Sequence, residues 1–298
     1  MDKKLEAGGQ AVIEGVMIKT PRKIAIAVRK PDGKIVTKTE KNNEEDSVLA
    51  NIFFIRGIYK LVYMLNKGLK ALIWSGNQVY EEEEELSNKE IFFVLIASLA
   101  FSILIFNLVP YVLTSIKIKE ISFPIIFNLV DGIIRIIIFI LYILLITKMD
   151  DVKQLFEYHG AEHKVVNCYE QDKKLTIKNI KECSTIHARC GTQFLILLFV
   201  ISIFSFSVLP PLINLLFSGF IQLHFIIQKI ILFIVRLLLI PVIAGFSYEF
   251  LKFFSNRQKN ILVKGIIYPG LLFQKLTTKE PNEKQIKVAI KSLKLALD

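Results

Sequence analysis

The feature that most constrains this chain is a set of four long apolar stretches with few charged residues. The stretches comprise residues 91–115, 121–147, 192–217 and 225–250. A helix needs about 20 consecutive apolar residues to cross the hydrocarbon core of a bilayer, and each stretch is long enough. Helices and closed barrels are the only structures that satisfy all backbone polar groups within lipid. The sequence therefore predicts a mainly α, polytopic membrane protein with about four transmembrane helices.

Composition and the amino terminus support the same class. Hydrophobic residues make up 53% of the 298 residues, a larger share than in typical soluble domains. Residues 1–6 are mostly charged, and no apolar segment of the kind found in a secretory signal peptide follows them. We therefore expect the first span itself to direct membrane insertion and the lipid bilayer to be the main partner.

The positions of Lys and Arg predict the orientation of the spans. Residues 1–90 and the tail after residue 250 are rich in both, and residues 148–191 contain eight. The loop after the first span has only Lys117 and Lys119, and the last loop between spans has none. Because positively charged loops remain in the cytoplasm, we expect both termini and the middle loop to be cytoplasmic. The net charge of +11 also favours contact with anionic lipid head groups.

The segment before the first span divides into a β-rich part and a helical part. Short alternating stretches predict strands over 11–18, 23–29 and 35–39, with a turn at residues 31–33. From residue 46 to residue 74, apolar residues recur at spacings of three and four, which is typical of an amphipathic helix. We expect this helix to lie on the membrane surface. Packing against the sheet or against the spans is the alternative.

These patterns predict six segments in chain order. They are a cytoplasmic β-rich segment (1–45), an amphipathic membrane-surface helix with an acidic linker (46–90), transmembrane helices 1 and 2 (91–147), a cytoplasmic loop with a metal site (148–191), transmembrane helices 3 and 4 (192–250) and a basic cytoplasmic tail with a terminal helix (251–298). The acidic run at 81–85 is expected to be a solvated face.

Three charged residues fall inside the predicted spans. Asp131 and Arg135 are spaced i, i+4, and Arg236 lies near the middle of the fourth span. A charge at such a depth costs about 2.5–3.5 kcal/mol on insertion scales. The residues indicate either a polar path toward the middle loop or an internal ion pair that fixes helix packing. A transporter ranks last among the function classes, because no repeated broken helices are visible.

The middle loop contains the strongest candidate for chemistry, residues 159–163 with the sequence HGAEH. On a helix, His159 and His163 lie at i and i+4, where both imidazoles can reach one cation. The pattern H-x-x-E-H is the reversed zincin signature, in which the carboxylate, here Glu162, is the general base on a metal-bound water. Gly160 has two interpretations. It weakens or breaks the helix, at about 1 kcal/mol relative to alanine, or it permits a close backbone approach.

Further candidate ligands lie close by in the sequence. Three of the four histidines in the chain fall in this loop, and the third, His187, precedes Cys190 by three residues. Imidazoles and a thiolate suit a tetrahedral zinc site. The sequence therefore predicts a divalent metal, with zinc as the metal that these ligand types prefer, bound by His159, His163, His187 and Cys190. Two more carboxylates are candidates for the same site, Glu170 and Glu249.

Several functions remain open on these residues. The leading hypothesis is a metal-dependent hydrolase at the cytoplasmic membrane surface, with a membrane peptide or a lipid head group as substrate. The alternative is a non-catalytic scaffold or membrane-biogenesis factor, with a structural histidine site and basic surfaces that dock a ribosome or translocon. A thiol nucleophile, Cys190 or Cys168, activated by a histidine is a third option. Otherwise Cys168, Cys183 and Cys190 are expected to be free thiols in a reducing compartment.

Three separate motifs carry a resemblance to a known family. They are GGQAVIEGVM at residues 8–17, YHGAEHK with NCYE within residues 158–170, and HARCGT at residues 187–192. Together they resemble the YqhQ-like bacterial membrane proteins, a domain of unknown function described as a predicted metal-dependent enzyme. The resemblance implies a bacterial inner membrane protein and adds Gln10 and Glu14 as site candidates. The third motif reads His-Pro-Arg-Cys-Gly-Thr in that family, so Ala188 removes the rigidity that proline gives to the turn.

Overall fold

The computed structural model describes residues 5–80, 87–118, 123–187, 190–255 and 261–298. Our expectations for the acidic run at 81–85 and for Ala188 lie outside these residues. The strands are β1 (Gly8–Val12), β2 (Gly15–Lys19), β3 (Lys23–Arg29) and β4 (Ile35–Lys41). The helices are α1 (Ile55–Val79), α2 (Asn88–Ile103), α3 (Val109–Ser115), α4 (Pro124–Ile146), α5 (Asp150–Glu170), α6 (Ile177–Lys181), α7 (Gly191–Leu216), α8 (Phe225–Ser255), α9 (Ile261–Thr277) and α10 (Glu283–Leu297). A π-helical turn, Leu104–Leu108, joins α2 to α3.

The four strands form an antiparallel sheet in the order β1-β2-β3-β4, with Gln10 opposite Met17. The stretch that we predicted as one strand over 11–18 is two strands. Glu14, with φ of 51°, adopts a left-handed conformation between them, and the chain reverses there. Gly33, with φ of 85°, takes the same region in the turn before β4 at no steric cost. The prediction of a small amino-terminal β element is confirmed.

The sheet has a hydrophobic cluster on each face. The face that packs against α5 and α10 includes Val16, Ile18, Ala25 and Ala27. The face that packs against α1 includes Val12, Met17, Ile24, Ile26 and Val28. Successive residues of a strand point to opposite faces, so the alternating sequence produces both clusters. The sheet therefore separates α1 from α5.

Four helices are long and apolar enough to cross a membrane, as the sequence predicted. They are Phe92–Ser115, Ile125–Ile146, Gly191–Leu216 and Phe225–Phe254. The last three form a bundle in which α4 packs against α7 and α7 against α8, and α3 brings the first span to α4. Most described side chains of α2 are exposed, as lipid-facing apolar residues are. The chain is a mainly α polytopic membrane protein that contacts the bilayer.

The charged residues within the spans lie inside this bundle. Arg135 donates a hydrogen bond to Asp131 at 2.9 Å. Arg236 donates to the side-chain oxygen of Asn128, also at 2.9 Å, and its guanidinium lies 5.4 Å from the centre of the Phe206 ring. Intramembrane charges characteristically face a bundle interior and pair there. The internal ion pair, one of our two interpretations, is present.

Helix α9 and the segment after it connect the bundle to the sheet. Phe273 of α9 stacks on Phe139 of α4 with ring centroids 5.4 Å apart. Beyond α9 the chain crosses α5, where the backbone N–H of Lys279 donates to the carbonyl of Phe156 at 2.9 Å. Helix α10 then returns to the sheet. Helix α5 is thus in contact with both the sheet and the segment that leaves the bundle.

Candidate metal centre

The histidine pair lies on α5, which is continuous from Asp150 to Glu170. Gly160 therefore does not break the helix, and the i, i+4 geometry of the histidines is retained. A Cβ atom at Gly160 would lie 1.9 Å from the carbonyl oxygen of Lys279, far inside contact distance. The glycine is explained by close backbone approach, the second of our two interpretations.

Three candidate ligand atoms converge at this point. One atom each from His159, His163 and Cys190 lie within 4.8 Å of one another. The Cys190 Sγ lies 3.4 Å from His159 Nε2. Sulfur and nitrogen ligands on a tetrahedron around zinc, with bonds of about 2.3 and 2.05 Å, are about 3.5 Å apart. The spacing of these two atoms therefore fits a shared zinc ion.

Backbone carbonyl groups orient both imidazoles. His159 Nδ1 lies 2.8 Å from the carbonyl oxygen of Thr277, and His163 Nδ1 lies 2.5 Å from that of Thr185. A carbonyl only accepts hydrogen bonds, so each Nδ1 carries the proton and donates it. Each Nε2 then keeps a lone pair, and this is the arrangement found in metal-ligating histidines. Both rings are held in the tautomer that a metal requires.

Cys190 occupies the N-cap of the third span. Its Sγ accepts a hydrogen bond from the backbone N–H of Thr192 at 3.5 Å, and the residue is buried. The amino-terminal end of a helix is a favourable position for an anionic ligand. Because α7 begins at Gly191, this position puts the candidate centre at one end of a membrane-spanning helix.

Glu162 lies beside the cluster rather than within the group of three. Its Oε2 is 3.4 Å from His163 Nε2, and its carboxylate accepts a hydrogen bond from the backbone N–H of Gly9. The residue is only 2% exposed. Burial raises the pKa of Glu162, although His159 and His187 act in the opposite direction. Burial likewise lowers the pKa of His163, so both groups are shifted toward their neutral forms.

His187 adjoins the cluster but points to a different partner. Its Nε2 lies 3.2 Å from the Glu170 carboxylate, and its ring centroid is 5.8 Å from that of His163. Gln274 of α9 accepts from the His187 backbone N–H at 3.0 Å and donates to its carbonyl at 2.9 Å. Sequence reasoning missed Gln274, because a single amide on an apolar helix carries no spacing signal. The predicted ligands His187 and Glu170 are thus paired with each other.

The remaining predicted site residues lie elsewhere. Gln10 packs against Gly68 of α1, on the sheet face opposite α5. Glu14 accepts a hydrogen bond from the Tyr158 hydroxyl at 3.0 Å. Tyr158 precedes His159 in the sequence, but Glu14 is not part of the cluster. Glu249 forms an ion pair with Arg56 at 2.6 Å. The structure brings none of these three carboxyl or amide groups to the candidate ligands.

The other two cysteines lie outside the cluster. Cys168 and Cys183 are buried thiols outside any disulfide. Their sulfur atoms face backbone carbonyls: Cys168 Sγ is 3.6 Å from Lys174 O, and Cys183 Sγ is 3.3 Å from Asn179 O. The Cys190 thiol, in contrast, faces His159.

The fold and this cluster define a polytopic membrane protein with a candidate His/Cys metal centre at the end of a span. Residues 52–298 match the family described as "Protein of unknown function (DUF1385)", and the chain belongs to this family. It is 32% identical over 302 residues to the "Uncharacterized protein YqhQ" of Bacillus subtilis strain 168, covering 96% of this chain and 90% of that protein. The resemblance to the YqhQ-like proteins is thereby confirmed. No solved structure matches the chain significantly.

Proposed function

We propose that this protein is a metal-dependent membrane hydrolase that holds zinc with His159, His163 and Cys190. The observation that carries the proposal is the convergence of three ligand atoms within 4.8 Å. Both imidazoles are fixed by Nδ1 hydrogen bonds to carbonyl groups, which leaves both Nε2 lone pairs for a cation. Imidazole nitrogen and thiolate sulfur are also the ligand types that zinc combines in its protein sites.

Three protein ligands leave one position of a tetrahedral metal for a water or substrate. A zinc ion held by His159, His163 and Cys190 would act as a Lewis acid and would lower the pKa of a bound water to about 7. The Glu162 carboxylate lies 3.4 Å from the His163 ligand atom and is placed to hold a proton at Oε2. Its pKa is raised by burial, a direction that suits proton transfer near neutral pH.

We also propose a cytoplasmic site on a bacterial inner membrane. The support is the excess of Lys and Arg before the first span, in residues 148–191 and in the tail, which the positive-inside rule assigns to the cytoplasm. Cys190 directly precedes a span, so a substrate at the membrane surface is closest to the cluster. Membrane peptides and lipid head groups are the two substrate classes.

The test is a comparison of wild type with Glu162→Gln for both activity and metal content. Zinc-loaded proteins in vesicles are incubated with a library of hydrophobic peptides and with phospholipids, and products are identified by mass spectrometry. We expect the wild type to hydrolyse a member of one class, and Glu162→Gln to lose turnover while retaining its zinc. Zinc-loaded wild type that hydrolyses neither class, or a variant with unchanged turnover, would contradict the assigned reaction and role.

A scaffold function is the second candidate, and one surface favours it. Four exposed lysines at spacings of three and four form a stripe along α10: Lys284, Lys287, Lys291 and Lys294. Such a stripe suits an anionic partner such as a ribosome or an acidic face of the translocon. Binding through phosphates weakens steeply with salt. Co-sedimentation with ribosomes at about 50 mM and about 200 mM salt, a range over which such binding is largely lost, therefore tests the scaffold function. Salt-independent or absent co-sedimentation would contradict ribosome docking.

A further inference from the structure

Helix α1 presents small residues to the rest of the protein. Its buried residues are Gly57, Gly68, Ala71, Ser75 and Gly76. The sheet packs on this face: the Ile13 backbone N–H donates to Ser75 Oγ at 3.1 Å, and the Gln10 side chain lies over Gly68. Small residues permit close approach of backbones, so this face of α1 is buried by its packing against the rest of the protein.

A second face of α1, beside the face that contacts the sheet, carries an exposed apolar stripe. Its stripe is formed by Val62, Leu65, Leu69 and Leu72, at successive spacings of three, four and three, which are 36% to 63% exposed. The exposed residues Val48, Leu49, Ile52 and Phe53 precede it in the chain. A contiguous exposed apolar surface of this kind marks a partner or a membrane.

The beginning of α1 is attached to a membrane span. Phe54 packs on Phe246 of α8 with ring centroids 5.0 Å apart. Arg56 donates to both carboxylate oxygens of Glu249 at 2.6 Å. The α8 side chains Phe246, Phe250 and Phe253 are themselves exposed, as expected for a lipid-facing surface. The beginning of α1, which precedes the stripe, is therefore held at the end of α8 where these apolar side chains are exposed.

Polar groups flank the stripe. Lys67 pairs with Glu40 at 2.8 Å, and Lys60 pairs with Glu45. Asn66 and Lys70 are exposed on the side of the stripe where these lysines lie. A helix with an apolar face, a lysine-bearing flank and low overall hydrophobicity is typical of helices that lie in the membrane interface.

We infer that α1 is an in-plane membrane helix whose Val62-Leu65-Leu69-Leu72 stripe inserts among lipid acyl chains at the boundary of the bilayer. The other side of α1 carries the sheet, and the far face of the sheet carries α5 with both candidate histidine ligands. In this arrangement α1 holds the sheet and α5 at the bilayer surface. This inference needs no metal and stands independently of the proposed reaction.

The chain provides a sensitive test, because Trp74 is its only tryptophan. In a Trp74→Phe background, Leu65→Trp places the probe within the stripe, and Lys70→Trp places it on the same helix beside the stripe. Full-length protein is reconstituted into phosphatidylcholine–phosphatidylglycerol vesicles. Emission is then measured with acyl-chain-brominated lipid and, separately, with aqueous iodide. Val62→Trp serves as a second stripe position if Leu65→Trp fails to fold.

For Leu65→Trp we expect loss of emission with brominated lipid and protection from iodide, and for Lys70→Trp we expect stronger iodide quenching. Equal iodide quenching at both positions would show that the stripe faces water and would overturn the inference. Protection from both quenchers at Leu65→Trp would also overturn it, because a protein surface such as a second copy of the chain would then cover the stripe.

Discussion

At Gly160, a missing side chain decides whether the candidate ligands can meet. A Cβ atom at this position would lie 1.9 Å from the carbonyl oxygen of Lys279. Two residues before Lys279, the carbonyl of Thr277 accepts a hydrogen bond from His159 Nδ1. The crossing segment and the orientation of the imidazole are therefore coupled. The spacing of His159 and His163 was predictable from sequence because it is local. The sequence did not predict that Cys190, rather than His187, lies with these two histidines. The reason is that the backbone of His187 is fixed by Gln274 in a distant helix.

Gly160→Ala is predicted to weaken zinc binding by about 10-fold to 100-fold, the range seen when partners of ligating histidines are lost. The added methyl group must displace the Lys279 carbonyl, and the Thr277 carbonyl moves with it. A chelator-competition titration of purified protein measures the change. Gly265→Ala is the control, since a Cβ at Gly265 in α9 meets nothing within 4 Å. Equal zinc affinity of Gly160→Ala and wild type would contradict the coupling.

Among the elements, α1 was predicted from its periodicity, but its packing was not. The sequence left membrane surface, sheet and spans as alternative contacts. The structure shows contacts with both the sheet and a span, since Gly68 lies against Gln10 and Gly57 against Tyr248, and it leaves the exposed stripe for the membrane contact that we infer. Glu249 was considered for the metal site because it lies near the end of its span. Its actual partner, Arg56, lies 193 residues away in sequence, a separation that no local pattern reveals.

Glu249→Gln is predicted to destabilise the attachment of α1 to α8 by about 1.5–3 kcal/mol, as expected for partly buried hydrogen bonds to charged groups. The variant retains a side-chain oxygen for the Phe54 backbone N–H but loses the negative charge that faces Arg56. Thermal unfolding in detergent measures the effect as a lower midpoint. Asp32→Asn is the control, because the Asp32–Lys34 pair is largely exposed and should leave the midpoint unchanged. Equal midpoints for both variants would contradict a stabilising role for the Arg56–Glu249 pair.

For the whole molecule, the spans and the sheet were predictable from sequence, but the way they pack together was not. Four spans follow from stretches long enough to cross a bilayer, and the sheet follows from alternation and turn residues. The relation of the sheet to the spans depends on non-local contacts, such as Lys279 crossing Phe156 and Gly9 donating to Glu162. Together with the contact between Cys190 and His159, they bring the sheet, α5 and the start of α7 to one point. The candidate metal centre is the product of that assembly.

The central claim is that this point holds a metal, and elemental analysis of detergent-purified protein tests it most directly. Wild type is compared with a His159→Ala, His163→Ala double variant and with His224→Ala, a histidine outside the cluster. We predict about one zinc ion per chain in wild type and in His224→Ala, as for a single tetrahedral site, and its loss in a folded double variant. A folded wild type that remains free of metal under zinc-replete conditions would contradict the account.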